Sequence, residues 1–471
     1  MPIAPRALVS PPLFMAAGCR AIDRDWADAH PATSLMERAG MAAAELAGTL
    51  ASESGESILI LAGPGNNGGD ALVAARRLAT QGFRLIVVSR ADPARLPPDA
   101  ARAWVAWRES GGTVLADIPP SRRYSLVIDG LFGVGLQRDL GGEDARWIEA
   151  VNGLGCPKLA LDVPSGLDSD SGRVRGCALR ADHTLTFLGL KPGLFTADGP
   201  DYAGQLHLDT LGIDAAALPA VPGIALTQLE SRHRLPARRQ NSHKGLFGHV
   251  GIIGGAGGMV GACLIAGRAA LQQGAGSVTL GVLDERVVVD YLEPRLMFAV
   301  AESLVEGNPD VLAIGPGLGQ HPRAHALLGT ALAATCPLVL DADALNLLAG
   351  HPELARLAAR RSAPTLLTPH PGEAARLLGR RVADVQADRV GAARNLSAHY
   401  RAHVALKGAG TVIAHPDSRY AINTTGGPWL AQAGSGDRLT GMVTALLGQG
   451  MAAADALEAA VWLHGRAQLT T

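Results

Sequence analysis

A glycine-rich segment in the first half of the chain lies where a predicted strand gives way to a predicted helix. The apolar run Ser57–Ala62 leads into Gly63–Asp70, which reads GPGNNGGD, and a helix is predicted from Ala71 to about Thr80. At such a junction the free backbone N–H groups and the positive end of the helix dipole attract an anion. The segment is therefore predicted to bind phosphate.

Two other interpretations of this segment stay open. Gly63, Gly65 and Gly68 satisfy G-x-G-x-x-G, which is typical of nicotinamide-dependent dehydrogenases with a Rossmann fold. The other is a tight turn without any ligand. Two Asn residues and a terminal Asp are unusual in the dehydrogenase fingerprint, and they indicate that side chains also bind a substrate or a cation.

Two carboxylates follow predicted strands further along the first half. Asp129 ends an apolar run and precedes a second glycine-rich loop, and Asp162 ends the run that starts at Lys158. Ligands of open α/β sheets lie just beyond the carboxyl ends of the strands. Both side chains are therefore expected to converge near Asn66 and Asn67, although a lone Asp at a strand end is otherwise a helix cap or a turn former.

The second half of the chain repeats the order of strand, glycine-rich turn and helix. The run His249–Ile253 precedes a long glycine-rich loop and a helix that ends near Gln272, and Val311–Gly319 has the same form. Asp341 and Asp343 then follow one strand. Paired acids at this position could handle a metal ion bound to a nucleotide phosphate, or Asp343 merely caps the next helix.

Three further segments of this half are suited to binding or transferring phosphate. His370 stands between two prolines, just before an amphipathic helix predicted over Glu373–Leu378. Lys407–Thr411 combines an ammonium group, a glycine turn and a hydroxyl. Gly434–Asp437 opens a long apolar helix predicted over Arg438–Leu447, so its amides could stabilise a transferring phosphate while Asp437 acts as a base toward a hydroxyl.

The elements that must position these residues alternate between short apolar strands and helices. This order predicts an α/β fold with two doubly wound domains, each a mostly parallel sheet covered by helices. The segment 211–240 lacks regular periodicity in its middle, so the domains are predicted at 1–222 and 223–471. The predicted strands are Ser57–Ala62, Leu85–Ser89, Leu126–Asp129, Lys158–Asp162, His249–Ile253, Ser277–Leu280, Val311–Ile314, Leu338–Asp341, Thr365–Leu367 and Val404–Leu406.

The motifs of the first half, taken in order, resemble the NAD(P)H-hydrate epimerase domain. They are LMERAG at Leu35–Gly40, GPGNNGGD, DGLFGVGL from Asp129, DVPSGLD from Asp162, and a later match at Thr184–Gly193. The resemblance covers about residues 15–215. It implies a Rossmann-like three-layer sandwich that interconverts the R and S forms of hydrated NADH or NADPH.

The same resemblance implies a set of site residues. Asp162 would be catalytic, and Asn67, Asp129 and Ser165 would hold a potassium ion, since oxygen ligands suit a hard cation. Lys191 would meet the substrate's diphosphate, or would be an exposed structural residue before Pro-Gly. The substrate would contact Asn66, Asn67, Gly68, Gly69, Asp70, Gly133, Val134, Gly135, Leu136, Gln137, Arg138 and Asp139.

The second half resembles the ribokinase-like superfamily and, within it, the ADP-dependent NAD(P)H-hydrate dehydratase. HPGE, KGAGT and GSGD occur in the proper order, over about residues 235–468, although Leu430–Arg438 departs from the family's usual pattern. The resemblance implies ADP or ATP as phosphoryl donor, with Mg²⁺. Asp437 would be the base, and the hydrated cofactor would contact it together with Ala262, Gly317 and His370. The nucleotide would contact Lys407, Gly408, Ala409, Gly410, Thr411 and Gly436.

The bulk composition argues against several other classes of protein. The 471 residues carry 42 Lys and Arg against 43 Asp and Glu, and nucleic-acid binders usually have a basic excess. No run of 18 apolar residues occurs, so no membrane span is expected. Five widely spaced cysteines without a CxxC pair favour buried thiols in a reducing compartment. We expect a soluble, cytoplasmic homo-oligomer that binds neither nucleic acid nor membrane.

Both halves together predict a bifunctional enzyme of cofactor repair. The first domain would epimerise the two hydrates. The second would phosphorylate the S hydrate and eliminate phosphate, which leaves far more readily than hydroxide, to give NAD(P)H, AMP and phosphate. The alternatives are a ribokinase-like small-molecule kinase with a regulatory Rossmann-like domain, and a non-catalytic ligand-binding scaffold.

Overall fold

The computed structural model describes residues 10–30, 34–51, 56–120, 123–214, 218–235 and 237–467. The chain divides into two compact units, Met1–Val221 and Pro222–Thr471. The predicted boundary between residues 222 and 223 differs from this division by one residue. Among the described helices, none is both long and apolar enough to cross a membrane.

Unit 1 is built from short parallel strands and the helices that connect them. The Ser34 hydroxyl caps the N-terminus of its second helix, because it accepts a hydrogen bond from the Glu37 N–H at 3.3 Å. In chain order the elements are α1 (Ala16–Ala29), α2 (Leu35–Leu50), β1 (Ser57–Ala62), α3 (Asn66–Thr80), β2 (Leu85–Val88), α4 (Pro98–Glu109), β3 (Tyr124–Gly130), α5 (Gly142–Asn152), β4 (Lys158–Leu161), β5 (His183–Phe187), α6 (Gly199–Tyr202) and β6 (Gln205–Asp209).

The strands of unit 1 form one sheet in the order β2-β1-β3-β4-β5-β6, with every pair parallel. Because side chains alternate between the faces of a strand, Ile58 and Ile60 of β1 pack with α2, α3 and α4. Leu59 and Leu61 pack on the other face with Trp147 of α5. The predicted three-layer α/β sandwich is confirmed.

The first glycine-rich segment is more helical than predicted. α3 begins at Asn66 rather than at Ala71, so the NNGGD residues form its first turns. A Cβ at Gly68 would lie 2.0 Å from the Gly63 carbonyl oxygen. Glycine is therefore required here for close backbone approach, and the contact stabilises a helix start that glycine itself disfavours.

Unit 2 contains a longer series of the same kind of elements. They are β7 (Gly223–Leu226), β8 (His249–Gly254), α7 (Val260–Gln272), β9 (Ser277–Val282), β10 (Met297–Phe298), α8 (Ala301–Glu306), β11 (Val311–Ile314), α9 (Pro322–Ala333), β12 (Leu338–Leu340), α10 (Asp343–Gly350), α11 (Pro352–Ala359), β13 (Thr365–Leu367), α12 (Pro371–Leu378), α13 (Val382–Ala387), α14 (Arg389–Tyr400), β14 (His403–Leu406), β15 (Val412–Ala414), β16 (Tyr420–Asn423), α15 (Ser435–Gly448) and α16 (Ala453–Arg466).

The sheet of unit 2 has the order β10-β9-β8-β11-β12-β13-β14-β15-β16-β7. It is parallel from β10 to β14, and β15 is antiparallel to both of its neighbours. Val250 and Val278 of the central strands pack with Ala266 of α7, Val443 of α15 and Ala460 of α16 in one core. A second doubly wound domain, as predicted, is confirmed.

The segment expected to be an irregular linker contains a strand. β7 lies within 211–240 and pairs in parallel with β16, with Gly223 opposite Tyr420. Its hydrogen-bonding partner comes from the far end of the chain, so local periodicity carries no signal for it. The short strands β5, β6, β10, β15 and β16 were likewise not predicted, and α12 and α15 begin at Pro371 and Ser435, two and three residues earlier than expected.

Candidate functional site

Unit 1 contains a cavity of about 720 Å³ at the carboxyl ends of its strands. β2 and β3 lie on opposite sides of β1, so the loops after β1 and β3 diverge and leave a crevice between them. A crevice at such a reversal of strand order is the usual ligand position in this class of sheet. Segments after β1, β3, β4 and β5, together with α1, line the cavity.

Asp162 lines this cavity as one half of a buried ion pair. Its Oδ1 lies 2.6 Å from the Nζ of Lys191, whose side chain is only 2% exposed. Lys191 also donates to the Thr186 hydroxyl at 2.9 Å and to the Phe187 carbonyl at 2.7 Å. Burial disfavours the ammonium, but the Asp162 carboxylate outweighs burial and raises the pKa of Lys191. The interpretation of Lys191 as an exposed residue is therefore wrong.

The backbone at Asp162 is strained. Its φ is +65°, a left-handed conformation that costs a residue other than glycine about 1–3 kcal/mol. The Asp162 N–H donates to the Leu185 carbonyl at 2.7 Å, and the Val134 N–H lies 3.4 Å from Oδ2. The surrounding strands and loops thus hold the carboxylate in one direction, toward the cavity and Lys191.

The three predicted potassium ligands are buried, and two of them are hydrogen-bonded to each other. Ser165 Oγ donates to Asp129 Oδ1 at 2.6 Å and accepts from the Phe132 N–H at 2.9 Å. Asn67 Nδ2 donates to the Leu161 carbonyl at 3.2 Å, but its buried Oδ1 has no partner in the described structure. Burial also raises the pKa of Asp129. An unpaired buried oxygen is costly, so these residues fit a hard cation.

The predicted substrate contacts of unit 1 divide into two groups. Arg138, for example, pairs with Asp144 at 2.9 Å and does not face the cavity. The members that line the cavity are Asn66, Asn67, Asp70, Gly133, Val134, Gly135, Leu136 and Asp162. The members that do not line it are Gly68, Gly69, Gln137, Arg138 and Asp139.

The contribution of α1 to the cavity lining was not predicted from the sequence. Cys19, Asp23, Trp26 and His30 line the cavity, and their spacing of three or four residues puts them on one face of the helix. That spacing was readable, but α1 precedes every recognisable motif.

Asp70 of α3 also lines the cavity. Burial and the charge of Asp162 raise the pKa of Asp70 well above its usual range.

The second candidate site surrounds the start of α15 in unit 2. Asp437 lies in the first turn of α15, whose N-cap residue is Gly434 with φ +84°. Lys407 follows β14 and its Nζ lies 2.7 Å from the Oδ1 of Asp341, the residue after β12. Thr440 of α15 donates to the other Asp341 oxygen at 2.7 Å. Asp341 therefore joins the ends of two strands to the start of a helix.

Three carboxyl groups surround the single ammonium of Lys407. Burial and the charge of Asp341 raise the pKa of Asp437 to about 6. Burial, reinforced by Asp341 and opposed by Lys407, raises the pKa of Glu373 to about 7. Burial disfavours the charge on Lys407, but Asp341 and Glu373 outweigh it and raise its pKa. Arg376 is a second cation near Glu373, and its charge also opposes the increase in the Glu373 pKa.

His370 forms the N-terminal cap of α12 beside this group. Its Nδ1 accepts from the Gly372 N–H at 2.9 Å, and the Glu373 carboxylate accepts from the His370 N–H at 2.8 Å. Burial and the charges of Lys407 and Arg376 lower the pKa of His370. A neutral, half-exposed imidazole therefore stands at the site at neutral pH.

Arg389, which was not predicted from the sequence, forms hydrogen bonds to the predicted nucleotide loop Lys407–Thr411 and to the end of β14. Arg389 is 2% exposed and donates to the carbonyls of Leu406 at 3.2 Å and Lys407 at 3.3 Å. Burial lowers the pKa of its guanidinium to about 10. Gly408 and Gly410 have φ values of +138° and +59°, which glycine adopts readily. A Cβ at Gly436 would lie 3.2 Å from the Lys407 Nζ, so the two predicted nucleotide segments adjoin.

Ala262 and Gly317, two predicted substrate contacts, are neighbours. A Cβ at Gly317 would lie 3.3 Å from the Ala262 Cβ. Asp343 fixes the same loop, because its Oδ2 accepts from the Gly319 N–H at 2.8 Å. Its side chain makes no capping bond to α10, so the capping interpretation is wrong. The paired acids Asp341 and Asp343 have separate neighbours.

Comparison with known proteins matches the two halves of the chain separately and together. Residues 32–193 match the family described as YjeF-related protein N-terminus, and residues 250–470 match the family described as NAD(P)H-hydrate dehydratase. A solved ADP/ATP-dependent NAD(P)H-hydrate dehydratase from Bacillus subtilis, co-crystallised with ATP and Mg²⁺, is 34% identical. It covers 50% of this chain and 84% of its own, with a TM-score of 0.44.

Whole-length relatives carry both halves in one chain. The bifunctional NAD(P)H-hydrate repair enzyme of Escherichia coli (strain K12) is 39% identical over 443 residues, which are 92% of this chain and 84% of that protein. The enzyme of the same description from Vibrio cholerae serotype O1 is 38% identical over 445 residues, 92% of this chain and 88% of its own. The chain belongs to the family of bifunctional NAD(P)H-hydrate repair enzymes.

Proposed function

We propose that this chain returns hydrated NADH and NADPH to the reduced cofactor through two activities. Unit 1 interconverts the R and S hydrates. Unit 2 uses ADP, or ATP, to phosphorylate the S hydrate and then eliminates phosphate. The observation that carries the proposal is Asp437, a carboxylate in the first turn of α15 that lies beside the buried Lys407–Asp341 pair.

Asp437 acts as the general base of the phosphorylation. Its pKa of about 6 leaves it ionised at neutral pH yet basic enough to accept a proton. The substrate hydroxyl oxygen attacks the terminal phosphorus, its proton passes to Asp437, and the bond from that phosphorus to the departing nucleotide breaks. The N–H groups of Gly436 and Asp437, in the first turn of α15, donate to no acceptor in the described structure, so they are available to the transferring phosphoryl group.

Elimination then restores the ring. Phosphate leaves with the electron pair of its bond to carbon, and the neighbouring ring carbon loses a proton, so that a carbon–carbon double bond forms. From ADP the products are NAD(P)H, AMP and phosphate. Ala262, Gly317 and His370 are the residues that we assign to the hydrated cofactor; Ala262 and Gly317 are in contact, and a neutral His370 can donate or accept a hydrogen bond.

The loop Lys407–Thr411 and Gly436 are the residues that we assign to the nucleotide. Carboxylate oxygens suit a divalent cation, and Glu373, one of the three carboxyl groups near Lys407, is the group that would hold Mg²⁺ beside the phosphates. When bound, Mg²⁺ neutralises phosphate charge. Lys407 fixes the position of Asp341, and the Asp341 charge helps to raise the pKa of Asp437.

In unit 1 the catalytic assignment is Asp162, held by its ion pair with Lys191. The buried ammonium fixes the position of this carboxylate, which can then accept the proton that the hydrate's carbon–oxygen centre releases. Asn67, Asp129 and Ser165 would hold K⁺, and the unpaired Asn67 oxygen supports this assignment. When bound, K⁺ supplies positive charge beside the anionic substrate.

The kinase alternative is not favoured, because the relatives that match most of this chain are described as repair enzymes. A plain kinase would accumulate a phosphorylated product.

The five cysteines are all free thiols, which supports a reducing, cytoplasmic compartment.

We also propose that the chain forms a homo-oligomer through the loop between β9 and β10. Tyr291 and Leu292 are 89% and 80% exposed there, and edge strand β10 follows directly. Large exposed apolar side chains of this kind mark interaction surfaces. Light scattering should give an oligomer mass for the wild-type chain and a smaller mass for the double variant Tyr291→Ser with Leu292→Ser. A monomer in both cases contradicts the assignment.

The test of the proposed function is recovery of reduced-nicotinamide absorbance from a mixture of both NADH hydrates. The purified chain receives ADP, ATP or neither, in potassium or in sodium buffer. Full recovery with one nucleotide establishes both activities and identifies the phosphoryl donor. Recovery of the S fraction alone excludes the epimerase assignment, and a phosphorylated product without recovery favours the kinase.

A further inference from the structure

Four carboxyl groups reach the unit 1 cavity, but two of them lack a cationic partner. Asp162 pairs with Lys191, and Asp99 pairs with an arginine of its own helix. Asp23 and Asp70 make no hydrogen bond or ion pair with any residue that the structure describes. A carboxyl group without a protein partner in a ligand cavity is available to the ligand.

Asp23 belongs to the face of α1 that forms one wall of the cavity. The wall-forming residues recur every three or four positions, as one face of a helix requires, and Asp25, two positions after Asp23, is 78% exposed and lies outside the cavity lining. The wall residues of α1 are Cys19, Asp23, Trp26, Ala27 and His30.

The position of α1 is fixed relative to the ion pair on the sheet side. The Ala16 N–H at the start of α1 donates to Asp170 Oδ1 at 2.7 Å. Just before the helix, the Phe14 N–H donates to the Leu190 carbonyl at 2.8 Å, and Leu190 directly precedes Lys191. α1 is therefore anchored to the same segment that supplies the cation of the Asp162–Lys191 pair.

We propose that Asp23 is a second catalytic group of unit 1, which exchanges a proton with the hydrate's hydroxyl while Asp162 serves the opposite step. This inference rests on the proposed epimerase function. Inverting a hydroxyl-bearing carbon through departure and return of water needs one acid and one base. Asp162 and Asp23 reach the cavity from different elements, the sheet and α1, and can therefore serve the two steps.

The steps balance without any further reactant. The carbon–oxygen bond breaks, its electron pair leaves with oxygen, and a proton from Asp23 completes a water molecule. The lone pair of the ring nitrogen forms a carbon–nitrogen double bond. Water then adds to the other face, the electron pair returns to nitrogen, and the released proton passes to the Asp162 carboxylate. Exchange with solvent restores both groups, and the reverse reaction exchanges their roles.

The surroundings of Asp23 suit such an exchange. Asp23 is exposed to the open space of the cavity. Partial loss of hydration at the cavity wall and the charge of Asp162 nonetheless raise its pKa to about 6, against the opposing charge of Lys191. Asp99 on α4 adds to the increase. A group with a pKa near the working pH can both donate and accept a proton, whereas the pKa of Asp70 is raised well above its usual range.

The test compares Asp23→Asn with Asp25→Asn, an exposed change on the same helix. Epimerisation is followed by the rate at which the R hydrate is consumed, with kcat and KM measured from pH 5 to pH 9. We expect kcat of Asp23→Asn to fall by about 100-fold with little change in KM, and the limb of the wild-type profile near pH 6 to disappear. Asp25→Asn should keep the wild-type rate and profile.

Dehydration of pure S hydrate by the same chains reports that each variant is folded and active in unit 2, and denaturation by urea reports on unit 1. A correctly folded Asp23→Asn chain that epimerises like Asp25→Asn, or that changes only KM, overturns the inference. A wild-type chain that does not epimerise at all instead refutes the proposed function of unit 1.

Discussion

Each unit contains a buried Lys–Asp pair at its site, and the two pairs are used differently. In unit 1, Lys191 lies 2.6 Å from Asp162, which lines the cavity and is itself the proposed reacting group. In unit 2, Lys407 lies 2.7 Å from Asp341, which is only 1% exposed, and the proposed reacting group is a third residue, Asp437. In the proposed chemistry, the aspartate of one pair reacts and the other pair supports a reacting neighbour.

The difference follows from where charge is needed. The ion pair with a buried ammonium fixes the position of the Asp162 carboxylate, which suits a group that must accept a proton from water. Phosphoryl transfer needs both a base and backbone donors at a single point, and the first turn of α15 supplies the two together. In unit 2, burial and the Asp341 charge raise the pKa of Asp437, against the opposing charge of Lys407.

The largest expected effect separates the two activities. Asp437→Asn should lower dehydration of the S hydrate by about 10²–10⁴-fold, because the general base is lost, and should spare epimerisation. Asp162→Asn should leave the S hydrate reactive and strand the R hydrate. The effects of both substitutions are measured as the fraction of reduced-nicotinamide absorbance that is recovered from mixed hydrates. Normal dehydration by Asp437→Asn, or consumption of both hydrates by Asp162→Asn, would refute the assignment.

The next effect is on stability and depends on how deeply each aspartate is buried. Lys407→Met leaves Asp341, with a side chain 2% exposed, as an uncompensated charge, and should lower the free energy of unfolding by about 3–5 kcal/mol. Lys191→Met leaves Asp162, 13% exposed beside a cavity, where water can solvate it, and should cost about 1–3 kcal/mol. Urea denaturation measures both.

The matched control for the stability comparison is the double variant Lys407→Met with Asp341→Leu. It removes the buried charge altogether and should recover most of the stability lost in Lys407→Met. Equal losses for Lys407→Met and Lys191→Met would contradict the proposed distinction between the two pairs.

The pH dependence of dehydration sharpens the comparison further. Asp437 must be ionised to act as a base, so kcat/KM should fall as the pH drops through about 6, approaching a tenfold loss per pH unit. Asp341→Asn removes the charge that raises this pKa, so the acidic limb should move to lower pH. A limb that stays in place would show that Asp341 does not tune Asp437.

The smallest expected effect concerns the cation of unit 1. Asn67→Ala removes the unpaired buried oxygen, and the K⁺ concentration that gives half-maximal epimerisation should rise by about tenfold or more. Dehydration in the same chain should keep its wild-type rate. Asn152→Ala, a change on α5 outside the cavity lining, is the control. An epimerase that is indifferent to K⁺ would contradict the assignment of Asn67, Asp129 and Ser165.

Local sequence was sufficient for the elements whose signal is local. The apolar runs of β1, β8, β11 and β13, and the glycine-rich turns after the first three of them, were predicted because strand, turn and helix signals adjoin in the chain. The start of α3 was misjudged, because Gly68 and Gly69 disfavour a helix in isolation and only packing against Gly63 and Met36 makes them suitable.

The sequence by itself therefore determined the two α/β units, the family and the motif residues, including Asp162 and Asp437, because these depend on patterns of neighbouring residues. Tertiary structure alone decided which charges meet. The partners Asp162 and Lys191, Asp341 and Lys407, and the wall that α1 adds to the cavity are far apart in sequence, and no periodicity encodes their contact. Burial and these contacts then decide the pKa values on which the proposed chemistry depends.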